Sequence, residues 1–167
     1  KIAPGSLIAF QIDQPIPFFV SFWACMMGGY VAVPITTTPL YTDESATVIR
    51  MQKAWEMLGQ PVFISNDDRV ESLAAYFSKL DSPNPQIFPF SELNSFEGAT
   101  KPPLPLPKPD DLAVLFLTSG STGLPKAVTQ THRSLITMAM GTIQMNGFKD
   151  SDVSLNWMPT DHVGSLS

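Results

Sequence analysis

The chain has 167 residues, 44% of them hydrophobic, and a single cysteine, Cys25; that is enough apolar material to bury a core, which excludes a disordered tail, and too few thiols for a disulfide framework, which suits a reducing compartment such as the cytoplasm. The net charge is −5 with no Lys/Arg cluster, so neither nucleic acid nor an anionic membrane surface is expected as the main partner. Charged residues are only 15% of the chain, against roughly 25% in ordinary globular proteins. With a start at Lys1, no charged-then-apolar leader and no closing signal at Ser167, it reads as a piece of something longer.

Taken in chain order, Ser6 to Ile12 is expected to be a strand. No charged side chain lies between Asp13 and Asp43, and Pro17 to Ile35 is nearly all apolar, so a transmembrane helix has to be considered. Gly28-Gly29 interrupts that run, Pro34 sits near its end, and Tyr30-Val31-Ala32-Val33 favours a strand. The run is therefore read as a buried helix over about 15–28 followed by a strand from Tyr30 to Pro34, with Cys25 as a small core residue. Val48, Met51, Trp55 and Leu58 fall at three- and four-residue spacing, which predicts a helix from Asp43 to Leu58 closed by Gly59. Pro61 to Ser65 is a strand, and Asn66 is placed to cap a helix reaching Leu80 with Val70, Leu73, Ala74 and Phe77 inward. Gln86 to Phe90 is a short strand candidate.

Residues 101–109 hold Pro102, Pro103, Pro105, Pro107 and Pro109, which lack amide donors, so this stretch is a connector. Leu112 to Leu117 is a continuous apolar strand candidate, Ala127 to Gln130 another, Thr131 a cap for a helix to about Met145, and Val153 to Trp157 a last strand. Met138, Met140 and Met145 are read as core filler. Apolar runs alternating with helical patterns predict an α/β fold of βαβ units, with a largely parallel sheet covered on both faces.

Between two of these strands lies Thr118-Ser119-Gly120-Ser121-Thr122-Gly123-Leu124-Pro125-Lys126. Glycines let several backbone N–H groups face one point, hydroxyls add donors and lysine adds positive charge, a combination suited to phosphate oxygens. A plain Ser/Thr/Gly surface turn has no need of so many constrained positions after a buried strand. The stretch is not the Walker A loop, since Pro125 precedes the lysine and Ala127 follows it where Ser or Thr would be required, and no G-x-G-x-x-G dinucleotide fingerprint follows a strand.

Leu112 to Val128 resembles the phosphate-loop core of the adenylate-forming superfamily: acyl-CoA synthetases, luciferases and adenylation domains of nonribosomal peptide synthetases. Phe22 to Pro34 is similar to that family's G-x-x-x-V-P element. Trp157-Met-Pro-Thr-Asp-His-Val-Gly164 is similar to its P-x-x-H-x-x-G region, one residue short at the glycine. Ala127 departs from the usual glycine and Asp161 from the usual aromatic. The resemblance spans essentially the whole chain and implies an incomplete large N-terminal subdomain over 1–167.

The resemblance implies activation of a carboxylate by ATP and Mg2+ to an acyl-adenylate with loss of pyrophosphate. The acyl group then passes to a thiol, either free CoA or the phosphopantetheine of a carrier domain in a peptide or polyketide assembly line. It implies that Thr118, Ser119, Gly120, Ser121, Thr122 and Gly123 hold phosphates and that Lys126 offsets their charge. His162, flanked by Asp161 and Val163, would line the carboxylate and α-phosphate. Domains selecting α-amino acids carry an aspartate where this chain has Val163, so the expected substrate lacks an α-ammonium and is an aryl or acyl acid. His132 is read as structural. The Mg2+ ligand, ribose-binding aspartate and catalytic lysine of the family are expected outside these residues, so the fragment alone is expected to be inactive. A non-catalytic scaffold and a phosphate-releasing NTPase are the rival readings.

Overall fold

The computed structural model describes residues 2–42, 45–93, 104, 106–119, 125–153, 155–162 and 164, with Ser119 described by its backbone alone. Its sheet has the order β4-β3-β1-β2-β5-β6, formed by β1 (Leu7–Gln11), β2 (Val31–Pro34), β3 (Val62–Ser65), β4 (Ile87–Pro89), β5 (Leu112–Ser119) and β6 (Pro125–Thr131). All neighbours are parallel except β5 and β6, which are antiparallel. The helices are α1 (Pro15–Gly28), α2 (Ala46–Met57), α3 (Val70–Phe77), α4 (Phe90–Leu93) and α5 (His132–Asn146).

Side-chain alternation explains why the parallel strands are apolar at successive positions up to their carboxyl ends, where Gln11 closes β1 and Ser65 closes β3. Ala9, Val31, Val33, Phe63 and Leu115 face one core with Met51 and Trp55 of α2 and Leu73 and Phe77 of α3. Ile8, Phe10, Ala32, Ile64, Val114 and Phe116 face the other with Phe18, Phe22 and Cys25 of α1. Both faces are thus covered, as the uninterrupted apolar runs require. The uncharged run is α1 followed by β2, and no helix among the described residues is long and apolar enough to cross a membrane.

Local chemistry sets the element ends. Gly29 takes φ 69°, a left-handed cap that ends α1 with its N–H on Cys25 O. Ser45 caps α2 by accepting from Val48 N, and Thr131 and Ser134 cap α5 reciprocally. Trp55 stacks on Phe63 and meets Phe77 edge-on, with ring centroids at 6.2 and 4.7 Å, and its indole N–H donates to Pro61 O at 2.7 Å.

Four expectations change. Asn66 does not cap a long helix: a 3-10 turn (Asp67–Arg69) precedes α3, and the Asn66 amide donates instead to Asp13 Oδ1 at 2.5 Å. Tyr76 is buried where Ala74 was expected, because α3 starts later and presents a rotated face. Residues 153 and 155–157 are not a strand; Val153, Leu155 and Trp157 are largely exposed and, among the described residues, pair with no strand. Met140 and Met145 are exposed, Met145 by 89%, so they fill no core here. Of the Pro-rich connector, residues 104 and 106–109 are described, and none lies in a helix or strand.

Asp13, Asn66 and Arg69 meet where β1 and β3 hand the chain to opposite faces of the sheet. Arg69 pairs with Asp13 and donates to Thr38 O at 3.0 Å. With Asp13 43% exposed, that ion pair stabilises by no more than about 1 kcal/mol, so its main effect is to orient the loops.

On α1 the outward stripe Ile16, Phe19, Val20, Trp23 and Met27 is exposed, Trp23 by 59%, and on α5 so are Ile136, Met140 and Ile143. Prepared alone, these 167 residues should self-associate at micromolar concentration in size-exclusion chromatography with light scattering, and Trp23→Glu should shift the profile toward monomer. A monodisperse wild-type chain would contradict this. Burial pushes the Cys25 thiol from 9.0 up to about 12, and burial likewise lifts the Tyr41 hydroxyl to about 12. Folded values above the unfolded ones give stabilisation that is complete below the unfolded values and is lost as the pH climbs toward 12. Cys25 should accordingly resist a disulfide reagent at about pH 8 in the folded chain and react promptly in urea; equal rates would show that the thiol is accessible.

Candidate active site

The candidate site lies at the carboxyl ends of β2 and β5 and the amino end of the antiparallel β6. β5 is buried from Ala113 to Phe116, half-buried at Leu117 and exposed at Thr118, so a rigid strand delivers the Thr-Ser end of the motif to solvent. β6 returns antiparallel with Thr118 opposite Lys126 and Ser119 opposite Pro125. Both strands run further into the motif than the apolar pattern suggested, because a cross-strand ladder needs paired backbones and not apolar side chains. Pro125 is accommodated at the first position of an edge strand.

Directly opposed residues project from one face of a ladder, so the side chains of Thr118 and Lys126 are neighbours. The Thr118 hydroxyl donates to Lys126 O at 3.4 Å, and both residues are exposed. The Thr118 hydroxyl and the Lys126 backbone are thereby held at the base of the segment 120–124, with the exposed lysine side chain beside them. Gly120, Ser121, Thr122, Gly123 and Val163 lie outside the described residues, as does the side chain of Ser119.

The second part of the site is the turn at 158–164. His162 N donates to Pro159 O at 3.0 Å, and Gly164 N donates to His162 Nδ1 at 3.1 Å. With Nδ1 accepting, a neutral imidazole carries its proton on Nε2, and that N–H is the group left to meet an incoming oxygen. The turn is close at Gly164: a Cβ there would lie 2.8 Å from Met158 Cε, the movable end of a flexible side chain, and 3.3 Å from His162 Nδ1. Asp161 Oδ2 accepts from the hydroxyl of Thr36, just beyond β2, at 2.6 Å. Sequence reasoning missed Thr36, since one threonine in Thr36-Thr37-Thr38 carries no signal that its partner is 125 positions away. His132, read as structural, starts α5 with its N–H on Asp111 O. Among the described residues no three His, Cys, Asp or Glu side chains gather as a metal set.

An α/β sheet that turns through such a motif into an antiparallel strand led by lysine is the architecture of the N-terminal subdomain of adenylation domains. The chain belongs to the AMP-binding enzyme family, whose profile matches residues 1–167. It is 34% identical to a nonribosomal peptide synthetase, acyN, of Ascocoryne sarcoides over 99% of this chain and 17% of that protein. Among solved structures it is similar to McyG A-PCP complexed with phenylalanyl-adenylate, with 35% identity, a TM-score of 0.91, and coverage of 99% of this chain and 26% of that one. It is also similar to the adenylation domain of a keto acid-selecting module bound to keto acyl adenylate, at 29% identity, a TM-score of 0.85, and 99% and 29% coverage. The chain thus spans about a sixth of the length of that synthetase relative.

Proposed function

We propose that the protein containing these residues activates a carboxylic acid with ATP, forming an acyl-adenylate and releasing pyrophosphate, and then transfers the acyl group to a thiol. The observation that carries this reading is the Thr118–Lys126 pair at the mouth of the Ser/Thr/Gly segment. On this reading the 167 residues are part of the large N-terminal subdomain of an adenylation domain.

Attack of a carboxylate on the α-phosphorus of a triphosphate is opposed by like charge, so catalysis depends on placing donors and positive charge around the phosphates. Thr118, Ser119, Ser121 and Thr122, with the backbone amides around Gly120 and Gly123, donate to the β- and γ-phosphates. Lys126, exposed and on a paired strand, offsets their charge as pyrophosphate leaves. These chain groups fit ATP as donors and a cation, and Mg2+ would supply further charge on the phosphate oxygens. His162 presents Nε2–H to the carboxylate or α-phosphate oxygen, and Val163 lines the substrate. The acceptor thiol is a carrier-domain phosphopantetheine or CoA; similarity to a nonribosomal peptide synthetase and to an A-PCP structure favours the carrier.

Val163 offers no charge to an α-ammonium, which favours an aryl or keto acid, in keeping with the likeness to a keto acid-selecting domain. In pyrophosphate exchange with the full-length protein, aryl and keto acids should exceed standard amino acids by at least roughly 100-fold in kcat/KM, since a desolvated ammonium would lack its carboxylate. Preference for an amino acid would sink this substrate class. Lys126→Ala should lower exchange by roughly 100- to 1,000-fold with an unchanged Tm, because the side chain is exposed and supports no core. Unaltered exchange would remove Lys126 from the mechanism, and a wild-type protein showing neither exchange nor a thermal shift with ATP would favour a scaffold.

A further inference from the structure

We propose that Thr36 is a positioning residue for adenylation: through Asp161 it straps the turn carrying His162 to the carboxyl end of β2, beside the phosphate hairpin. The proposal rests on the adenylation reading above and reassigns Asp161 from substrate lining to anchoring the turn.

The contact has the character of a strap. A hydroxyl donating to a carboxylate at 2.6 Å is a short, charge-assisted bond, and it joins positions 125 apart in the chain. The turn's other bonds described above, with Met158 N on Asn156 Oδ1 at 3.0 Å, link residues two or three apart and set the turn's own shape. They do not define where the turn sits on the sheet. Packing helps to seat Met158, Thr160 and Asp161, which are half-buried, whereas Trp157 is 85% exposed and His162 is exposed.

The anchor itself is firm. Ile35, immediately before Thr36, donates its N–H to Phe10 O at 3.3 Å and accepts from buried Gln11 Nε2 at 3.1 Å. Thr38, two residues on, accepts from Arg69. Thr36 is therefore bracketed by residues tied to the central sheet, and its hydroxyl is a fixed point. Its location is also the useful one. Ala32 of β2 pairs with Val114 of β5, and Thr36 and Thr118 each lie four residues further along. A turn docked on Thr36 lies one strand away from the Thr118–Lys126 pair, so His162 can address the α-phosphate end of a ligand whose outer phosphates sit at the hairpin.

Asp161 points back at the sheet in this arrangement. Its carboxylate is committed to Thr36, which leaves the exposed His162, next in the chain, as the described side chain of the turn that can meet the substrate. A negative charge held this way positions the histidine without itself meeting the substrate.

The experiment uses the full-length protein. Thr36→Val keeps the side-chain shape and removes the donor, while Thr36→Ser keeps the donor; Thr36 is exposed, so both should fold with wild-type Tm. Thr36→Val should lower kcat for pyrophosphate exchange by roughly 10- to 100-fold with KM for ATP unchanged, and Thr36→Ser should stay within about twofold of wild type. In a His162→Ala background, Thr36→Val should cause no further loss, because the strap acts through that histidine. Independently of turnover, hydrogen exchange over residues 157–162 should be faster in Thr36→Val than in wild type. Wild-type kcat in Thr36→Val, losses that add to those of His162→Ala, or unchanged hydrogen exchange would each overturn the strap. If the wild-type protein activates no acid, the adenylation reading fails, and the exchange rates of the turn still decide whether Thr36 holds it.

Discussion

A parallel sheet buried on both faces must satisfy its polar groups where the strands stop, and here that burden falls on Gln11. It is fully buried at the end of central β1, among two apolar cores that offer no other partner. Its amide donates to Ile35 O beyond β2, its carbonyl oxygen accepts from Tyr41 Oη at 2.8 Å, and its backbone oxygen receives Ser65 Oγ at the end of β3 and Asn66 N just beyond it. A single side chain and its peptide thus clamp three adjacent strands at one level. An unsatisfied amide at this depth would carry the full desolvation penalty, so the network holds together or fails as a unit. The connections that leave β1, β2 and β3 start from positions this clamp defines.

Those loops divide into two groups with different fates. In doubly wound sheets the crevice between strands whose connections diverge to opposite faces is where ligands commonly sit. Here that crevice, between β1 and β3, is occupied by the protein itself, with Asp13 receiving both Asn66 and Arg69. The candidate chemistry lies on the other side of β1, across β2, β5 and β6. That displacement follows from the antiparallel β6, which folds the chain straight back so that both ends of the phosphate motif arrive at one edge.

Much of this was legible from the residues. Apolar strands and amphipathic helices have periods that survive in sequence, so α1, α2, α5 and the parallel strands stand close to their expected bounds; caps such as Thr131 and Gly29 marked ends because they act locally. The phosphate motif was legible for a related reason, since its constraints lie within one short segment. What sequence could not carry was pairing between distant positions. Asn66 has a capping residue's chemistry, yet Asp13, far off in sequence and near in space, offered a better partner. Val153 to Trp157 has a strand's composition, but composition does not say whether the segment joins the sheet, and its described residues do not. Thr36 acquired a role only through Asp161, at the other end of the chain.

The Thr118–Lys126 pairing carries a rule of parity. Side chains along β6 alternate between the faces of the sheet, so while Lys126 stands opposite Thr118 it shares that residue's side, the side to which Val114 and Phe116 belong. Moved one place along β6, the lysine would stand opposite Leu117 or Ser119 and point to the other face, where Leu117 packs against the α2 and α3 core. Moved two places, it would regain the correct face at a different distance from the bend. The length of residues 120–124 can therefore vary without changing the lysine's side, whereas the spacing between lysine and ladder is fixed in steps of two.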